Sequence, residues 1–112
     1  MIHVKFSYDR DSRQIEMRVK GHADAAPKGK DVICAGVSAL VTTATCAVCT
    51  LFMKGLLDDI PITKMTPGDS VLIAKPLPET EAEALMVFWT IQEGISAMEQ
   101  VYSDYLCLDQ TL

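Results

Sequence analysis

Apolar and polar positions alternate through most of the first twenty residues. Residues 2–8, IHVKFSY, follow this pattern, and residues 15–21, IEMRVKG, resume it after the polar segment DRDSRQ. A period of two is typical of half-buried strands, and a short polar segment between two such strands is typical of a turn. The pattern therefore predicts an antiparallel hairpin whose second strand ends at Gly21.

A long apolar segment over residues 32–55 predicts the first helix. Asp31 stands before it as an N-cap, and Gly55 closes it. The segment is rich in Ala, Ser, Thr and Cys, so apolar groups lie on nearly every side of the helix. We interpret it as a buried helix covered by a sheet on one face and by something else on the other, and not as a membrane span.

The second half of the chain repeats the order of hairpin and helix. Residues 60–66 and 70–76 predict two strands joined by the turn PGD, and residues 78–105 predict a second helix. Thr80 is the expected N-cap, with Glu83 at the capping-box position. The expected core face of this helix comprises Leu85, Phe88, Trp89, Gln92, Ile95, Met98, Glu99 and Tyr102.

These elements predict an α/β (α+β) fold of one domain over residues 1–112. Their order, β-β-α-β-β-α, favours a two-layer sandwich: a mostly antiparallel sheet of two hairpins packed against two helices. The final LCL, residues 106–108, could add a short edge strand.

Composition narrows the classes of function. The net charge is −5, and the basic residues are scattered, which argues against direct nucleic-acid binding. The sequence MIHVKFSYDR has no export-signal pattern, and no apolar segment has membrane-span flanks. We therefore expect a cytoplasmic protein that does not contact membranes, with four free cysteine thiols.

The segment KGHADAAPKGKDVICAGVS brings one histidine and one cysteine close along the chain. With Asp31 as N-cap, Cys34 lies in the first helical turn, where the helix dipole favours a thiolate. His22 follows the second strand and is a candidate base for that thiol. The backbone N–H groups of Cys34 and Ala35 are candidate donors to an oxyanion. This arrangement predicts a lowered pKa for Cys34.

Asp31 complicates this interpretation. Its charge opposes a thiolate at Cys34, so either a protonated His22 offsets it or Asp31 turns to orient the His22 ring. The residues leave both alternatives open, and they also leave open that Cys34 is only a packing residue, since cysteine is among the most buried residue types.

The remaining cysteines suggest packing and not chemistry. Cys46 and Cys49 form a C-x-x-C in the middle of the first predicted helix, unlike a thioredoxin motif at a strand–helix junction. A zinc site would need more ligands, and Cys107, His3 and His22 lack zinc-site spacing. We therefore expect Cys46, Cys49 and Cys107 to be buried, with no metal and no cofactor.

A family resemblance enters at GHADAAPKGKDVICAGVSAL. This segment resembles the motif of the ribosomal-processing cysteine protease family, Prp: Gly-His-Ala, a variable loop with Gly, then Asp-x-x-Cys-Ala-x-Val-Ser-Ala-Leu. The matching positions are Gly21, His22, Ala23, Gly29, Asp31, Cys34, Ala35, Val37, Ser38, Ala39 and Leu40. The two hairpins, the PGD turn and the closing YSDYLCL extend the resemblance over the whole chain.

The resemblance implies a cysteine endopeptidase that removes the N-terminal extension of large-subunit ribosomal protein twenty-seven during ribosome assembly. It implies that Cys34 is the nucleophile, that His22 is the general base, and that the reaction passes through a thioester acyl-enzyme. Gly21, Asp31 and Ser38 would be supporting or substrate-binding residues, and residues 23–30 a gate for the precursor protein. It also implies a homodimer. The alternatives are a non-enzymatic ribosome-associated binding module and, more weakly, a thiol redox protein using Cys46 and Cys49.

Overall fold

A computed structural model gives the structure of the protein, and it describes residues 1–24 and 31–112. These residues form five strands and two helices, with a short 3₁₀ turn before the second helix. In chain order they are β1 (Ile2–Asp9), β2 (Gln14–Lys20), α1 (Val32–Met53), β3 (Ile62–Thr66), β4 (Asp69–Ala74), the 3₁₀ turn (Pro78–Thr80), α2 (Glu81–Val101) and β5 (Leu106–Gln110).

The strands form one sheet in the order β3-β4-β2-β1-β5. The β1–β2 and β3–β4 hairpins are antiparallel, and β2 and β4 join them through a further antiparallel pairing. β5 lies at the edge and pairs parallel to β1. The predicted α+β fold with a mostly antiparallel sheet is confirmed, and the LCL segment does form an edge strand.

Both helices cover the same face of the sheet. The inward side chains of β1, β2, β4 and β5 alternate with polar ones, as their period of two predicts, and they join the buried positions of both helices in one core. Val4, Phe6, Ile15, Met17 and Phe88 are fully buried within it. The opposite face of the sheet carries the polar side chains, which completes the predicted two-layer sandwich.

The boundaries of α1 agree with the prediction. The Asp31 carboxylate accepts hydrogen bonds from the N–H groups of Ile33 and Cys34, so Asp31 is the N-cap. At the other end, Gly55 has φ +74°, and the Gly55 and Leu56 N–H groups bond back to Phe52 and Leu51 in a Schellman motif. The helix is long and apolar enough to cross a membrane by length and composition alone. Here its buried face, which includes Val37, packs into the core.

The second helix differs from its prediction in three respects. It runs from Glu81 to Val101, so residues 102–105 lie beyond it, where the chain turns toward β5. Thr80 makes no capping bond, so the expected capping box with Glu83 is wrong. Trp89 was expected in the core but is 51% exposed. The buried stripe of α2 instead comprises Ala84, Phe88, Ile91, Gln92 and Ile95.

The hydroxyl of Thr80 does not cap α2. It bonds instead to backbone groups of Leu56 and Leu77. Its Oγ1 donates to the Leu56 carbonyl at 2.6 Å and accepts from the Leu77 N–H at 3.0 Å, and the residue is buried. We expect Thr80→Val to lower the free energy of unfolding by about 1–3 kcal/mol, because two backbone groups lose their partner in a buried site.

Urea unfolding measures this effect, and Thr90→Val is the matched control. Thr90 Oγ1 also donates to a backbone carbonyl, that of Met86 at 2.7 Å, but it is exposed on α2, where water can replace the bond. Equal losses of stability in the two variants would contradict a buried role for the Thr80 hydroxyl.

Candidate active site

One cleft brings all five candidate residues together. It has a volume of about 770 Å³ and lies where the end of β2, the start of α1 and the β3–β4 turn meet. Gly21, His22, Asp31, Cys34 and Ser38 all line it. The tertiary structure therefore gathers the predicted site residues, which come from the end of β2 and the start of α1, around one solvent-accessible space.

Backbone contacts hold His22 on both sides. Gly21 has φ +98°, a conformation that favours glycine, and its N–H donates to the Gly68 carbonyl at 2.9 Å. The nitrogen of Met1 donates to the His22 carbonyl at 2.7 Å. A Cβ on Gly21 would lie 2.2 Å from the Met1 carbonyl oxygen, so only glycine fits there. Gly21 thus supports the position of the residue after it.

The imidazole of His22 lies directly against the turn between β3 and β4. A Cβ placed on Gly68 would be 2.4 Å from His22 Nε2 and 2.9 Å from its Cε1. Ordinary contacts between such atoms are about 3.5–4.0 Å. The absence of a side chain at Gly68 therefore makes room for the ring. This turn also supplies Thr66, Pro67 and Asp69 to the cleft wall.

The sequence pattern does not predict that the β3–β4 turn forms a wall of the cleft. The PGD turn was predicted only as the loop of a hairpin, and nothing in its local pattern connects it to His22. The only signal in the sequence is the glycine of this turn, because a residue without a side chain permits a close approach by another group; in the structure Gly68 has φ +74°.

At the start of α1, the N–H groups of Ile33, Cys34 and Ala35 all donate to Asp31. The Cys34 N–H donates to Asp31 Oδ1 at 3.1 Å, and the Ala35 N–H donates to the Asp31 carbonyl at 3.1 Å. Of the two alternatives for Asp31, the structure shows the capping role. The expectation that the N–H groups of Cys34 and Ala35 are oxyanion donors does not hold in this arrangement, because Asp31 already occupies both.

The pKa of the Cys34 thiol is raised above its ordinary value, so the expectation of a lowered pKa is wrong. Partial burial is the largest cause, and hydrogen bonding to the Asp31 carboxylate and the charges of Asp31 and Asp24 add to it. The backbone amide of Ala23 faces the sulfur and works in the opposite direction. The raised pKa favours the protonated thiol over the thiolate.

The variant Asp31→Asn tests the origin of that shift. Asn retains a side-chain oxygen for the helix cap but removes the negative charge, so we expect the pKa of Cys34 to fall. Alkylation by iodoacetamide requires the thiolate, so its midpoint for the peptide containing Cys34 is expected to move to lower pH. Mass spectrometry of that peptide over a pH series measures the midpoint. An unchanged midpoint would show that Asp31 does not control the thiol.

The other candidate features of the loop and helix are only partly described. Ser38 is exposed on α1, about one turn after Cys34, and lines the cleft. Of the predicted gate, residues 23–30, the structure describes Ala23, which is buried, and Asp24, which has φ +55° and lines the cleft. Residues 25–30 lie outside the described part of the chain.

The remaining cysteines are free thiols, but they are not buried as expected. Cys46 is exposed on α1, while Cys49 and Cys107 are half-buried. One stripe of α1 is buried against the rest of the protein, and Cys46 and Cys49 lie outside that stripe. Cys107 donates a hydrogen bond to Asp109 Oδ1 at 2.9 Å, so it has a polar environment and not an apolar one.

Comparison with known proteins agrees with the resemblance seen in the sequence. Two structures of the essential ribosomal processing protease Prp from S. aureus are similar, one with a covalently linked product peptide and one with a substrate peptide. The first has a TM-score of 0.74 and 21% identity, covering 99% of this chain and 100% of that chain. The second has a TM-score of 0.69 and 20% identity, with the same coverage of both chains.

SMU.848 from Streptococcus mutans is similar with a TM-score of 0.69 and 18% identity, covering 99% of this chain and 94% of that chain. No curated protein matches the sequence. The family model described as cysteine protease Prp matches residues 1–107. The chain therefore belongs to the Prp family of cysteine proteases.

Proposed function

We propose that this cysteine protease removes the N-terminal extension of large-subunit ribosomal protein twenty-seven, using Cys34 as nucleophile and His22 as general base. The main observation behind this proposal is that all five candidate site residues, including Cys34 and His22, line one cleft. Gly21, Asp31 and Ser38 are the supporting residues of that site. A non-enzymatic binding module is not consistent with the family.

The raised pKa of Cys34 favours one route of activation in this proposal. Because the thiol carries its proton, His22 takes that proton as the sulfur attacks the scissile carbonyl. The C–S bond forms, and the scissile C–N bond breaks as His22 passes the proton to the leaving amine. Water then hydrolyses the thioester with His22 as base, which frees the carboxyl product and restores the thiol.

In this proposal, substrate binding must also make a backbone donor available for the oxyanion. The Cys34 N–H is bonded to the Asp31 side chain, so it becomes available to an oxyanion only if that side chain turns away, whereas the Ala35 N–H stays bonded to the Asp31 backbone carbonyl. Movement of Asp31 would also remove one cause of the raised Cys34 pKa. The proposal therefore gives Asp31 two states, a resting cap and a displaced form with substrate bound, and residues 23–30 remain the proposed gate.

Charge supports a basic substrate. The chain carries a net charge of −5, and Asp24, Asp31 and Asp69 line the cleft. Such a surface attracts a basic ribosomal precursor and disfavours direct binding to nucleic acid. Processing of a newly made ribosomal protein would take place in the cytoplasm, without a membrane.

The proposed homodimer has a candidate surface on the helical layer. Met86 and Trp89 are 55% and 51% exposed on α2, and Met86 lines an apolar groove together with Thr43 and Ala47 of α1. Exposed apolar surface of this kind is typical of protein interfaces. This surface supports the dimer that the family resemblance implies.

Incubation with two matched proteins tests the proposed function. One is the extended ribosomal precursor, and the other is the same protein without its extension. We expect a single cut in the first, at the end of the extension, and none in the second, as measured by mass spectrometry of the intact products. Binding of the precursor without cleavage would contradict the proposed substrate, and cutting of both proteins would contradict the specificity for the extension.

A further inference from the structure

A second group of reactive side chains lies outside the cleft, at the β1–β5 edge of the sheet. His3 on β1 and Cys107 on β5 are direct partners in the parallel pairing. Asp109 follows on β5 at a bulge, because Val4 pairs with Leu108 whereas Lys5 pairs with Gln110. Bulges commonly re-aim a side chain at functional positions. Three different donor types thus meet on the sheet face opposite the helices.

The distances in this group are close to those of a metal site. His3 Nδ1 lies 3.0 Å from Asp109 Oδ2, and Cys107 Sγ lies 2.9 Å from Asp109 Oδ1. The three ligand atoms, one from each residue, all lie within 4.8 Å of one another. Tetrahedral zinc bonds of about 2.0–2.3 Å place neighbouring ligand atoms about 3.3–3.8 Å apart. Small side-chain rotations would therefore suffice to surround an ion.

From this juxtaposition of imidazole, thiol and carboxylate on paired strands, we propose that His3, Cys107 and Asp109 form a binding site for Zn²⁺ or a similar transition-metal ion. Nitrogen, sulfur and carboxylate ligands suit Zn²⁺ and its neighbours, whereas Mg²⁺ and Ca²⁺ prefer oxygen alone. Three protein ligands leave one coordination position for water. The site is independent of the proposed protease function.

Proton exchange explains how the site changes on binding. In the metal-free state the Cys107 thiol donates its proton in a hydrogen bond to Asp109 Oδ1 at 2.9 Å. A metal ion replaces that proton, so the S–H bond breaks, a metal–sulfur bond forms and one proton is released. Glu99 faces Cys107 and favours the bound cation, whereas Lys5 faces Asp109 and opposes it.

Cobalt provides a spectroscopic probe of this site. Co²⁺ would be titrated into the full-length Cys34→Ala variant, so that the cleft thiol does not contribute. We expect a sulfur-to-cobalt charge-transfer band that saturates near one equivalent and that Zn²⁺ displaces. A further Cys107→Ser substitution should abolish the band, and His3→Ala should weaken Co²⁺ binding by at least about tenfold. Cys46→Ser and Cys49→Ser, which alter the other two thiols, should leave it unchanged.

Thermal unfolding gives a second measurement. Zn²⁺ should raise the melting temperature of the Cys34→Ala variant, because the ion binds only the folded arrangement of β1 against β5. The same addition should not raise it when Cys107→Ser is also present. A charge-transfer band that survives Cys107→Ser, or no band at saturating Co²⁺ in a folded protein, would overturn the proposal.

Discussion

Replacing Cys34 with alanine is expected to abolish peptide cleavage. The substitution removes the only thiol among the described residues that line the cleft, so no thioester can form, and we expect kcat/KM to fall more than a thousandfold, on the order of other nucleophile deletions. Stability should change little, because Cys34 is only half-buried. Cleavage of the extended precursor, followed by mass spectrometry, measures the loss.

The matched control for this prediction is Cys46→Ala. It removes a thiol from the same helix, but from an exposed position that does not line the cleft. We expect its kcat/KM to remain within about twofold of the unmodified protein, since surface substitutions away from special features change little. A Cys34→Ala variant that still cut the precursor at the same bond would exclude Cys34 as the nucleophile.

The variant Gly68→Ala is expected to reduce kcat by about ten- to a hundredfold although neither proposed catalytic residue is substituted. The added methyl group would lie 2.4 Å from His22 Nε2, so the ring must move away. Misplacement of a reacting group by about 1 Å can cost a hundredfold in rate. The initial rate of precursor cleavage at saturating substrate measures the effect.

Gly55→Ala is an unusually close control for Gly68→Ala. Both glycines have φ +74°, so both substitutions carry the same backbone penalty of about 1–2 kcal/mol. A Cβ on Gly55 meets no atom within 4 Å, whereas one on Gly68 meets His22. Gly55→Ala should therefore lower the melting temperature but retain kcat. Equal kcat values in the two variants would contradict a positioning role for Gly68.

The positions of the main elements were accessible from the sequence because their causes are local. Alternation through β1 and β2 placed the strands correctly, and the Asp31 cap and the Gly55 C-terminal motif placed α1. Each depends on contacts within a few residues: side-chain periodicity, N–H groups that need an acceptor, or a glycine with positive φ.

The predictions that were wrong concern positions where the local sequence pattern is compatible with several arrangements. Trp89 follows Phe88 by one residue, about 100° around α2, so it lies at the edge of the apolar stripe. Only the packing of α2 on the sheet decides that Ile91 is covered and Trp89 exposed. Thr80 is likewise a residue type that commonly caps helices. Its hydroxyl nevertheless bonds to the carbonyl of Leu56, which lies just after the C-terminal end of α1.

The sequence by itself determined the order of strands and helices and the ends of α1, because short-range periodicity and backbone hydrogen bonding control these features, and it carries the family motif around His22 and Cys34. Only the tertiary structure decided the environment of each group. It placed Gly68 against His22, raised the pKa of Cys34 by burial beside Asp31, and joined His3 to Asp109 across 106 positions of sequence. These contacts depend on strand order and register, which are set by the packing of the whole core and which no local pattern contains.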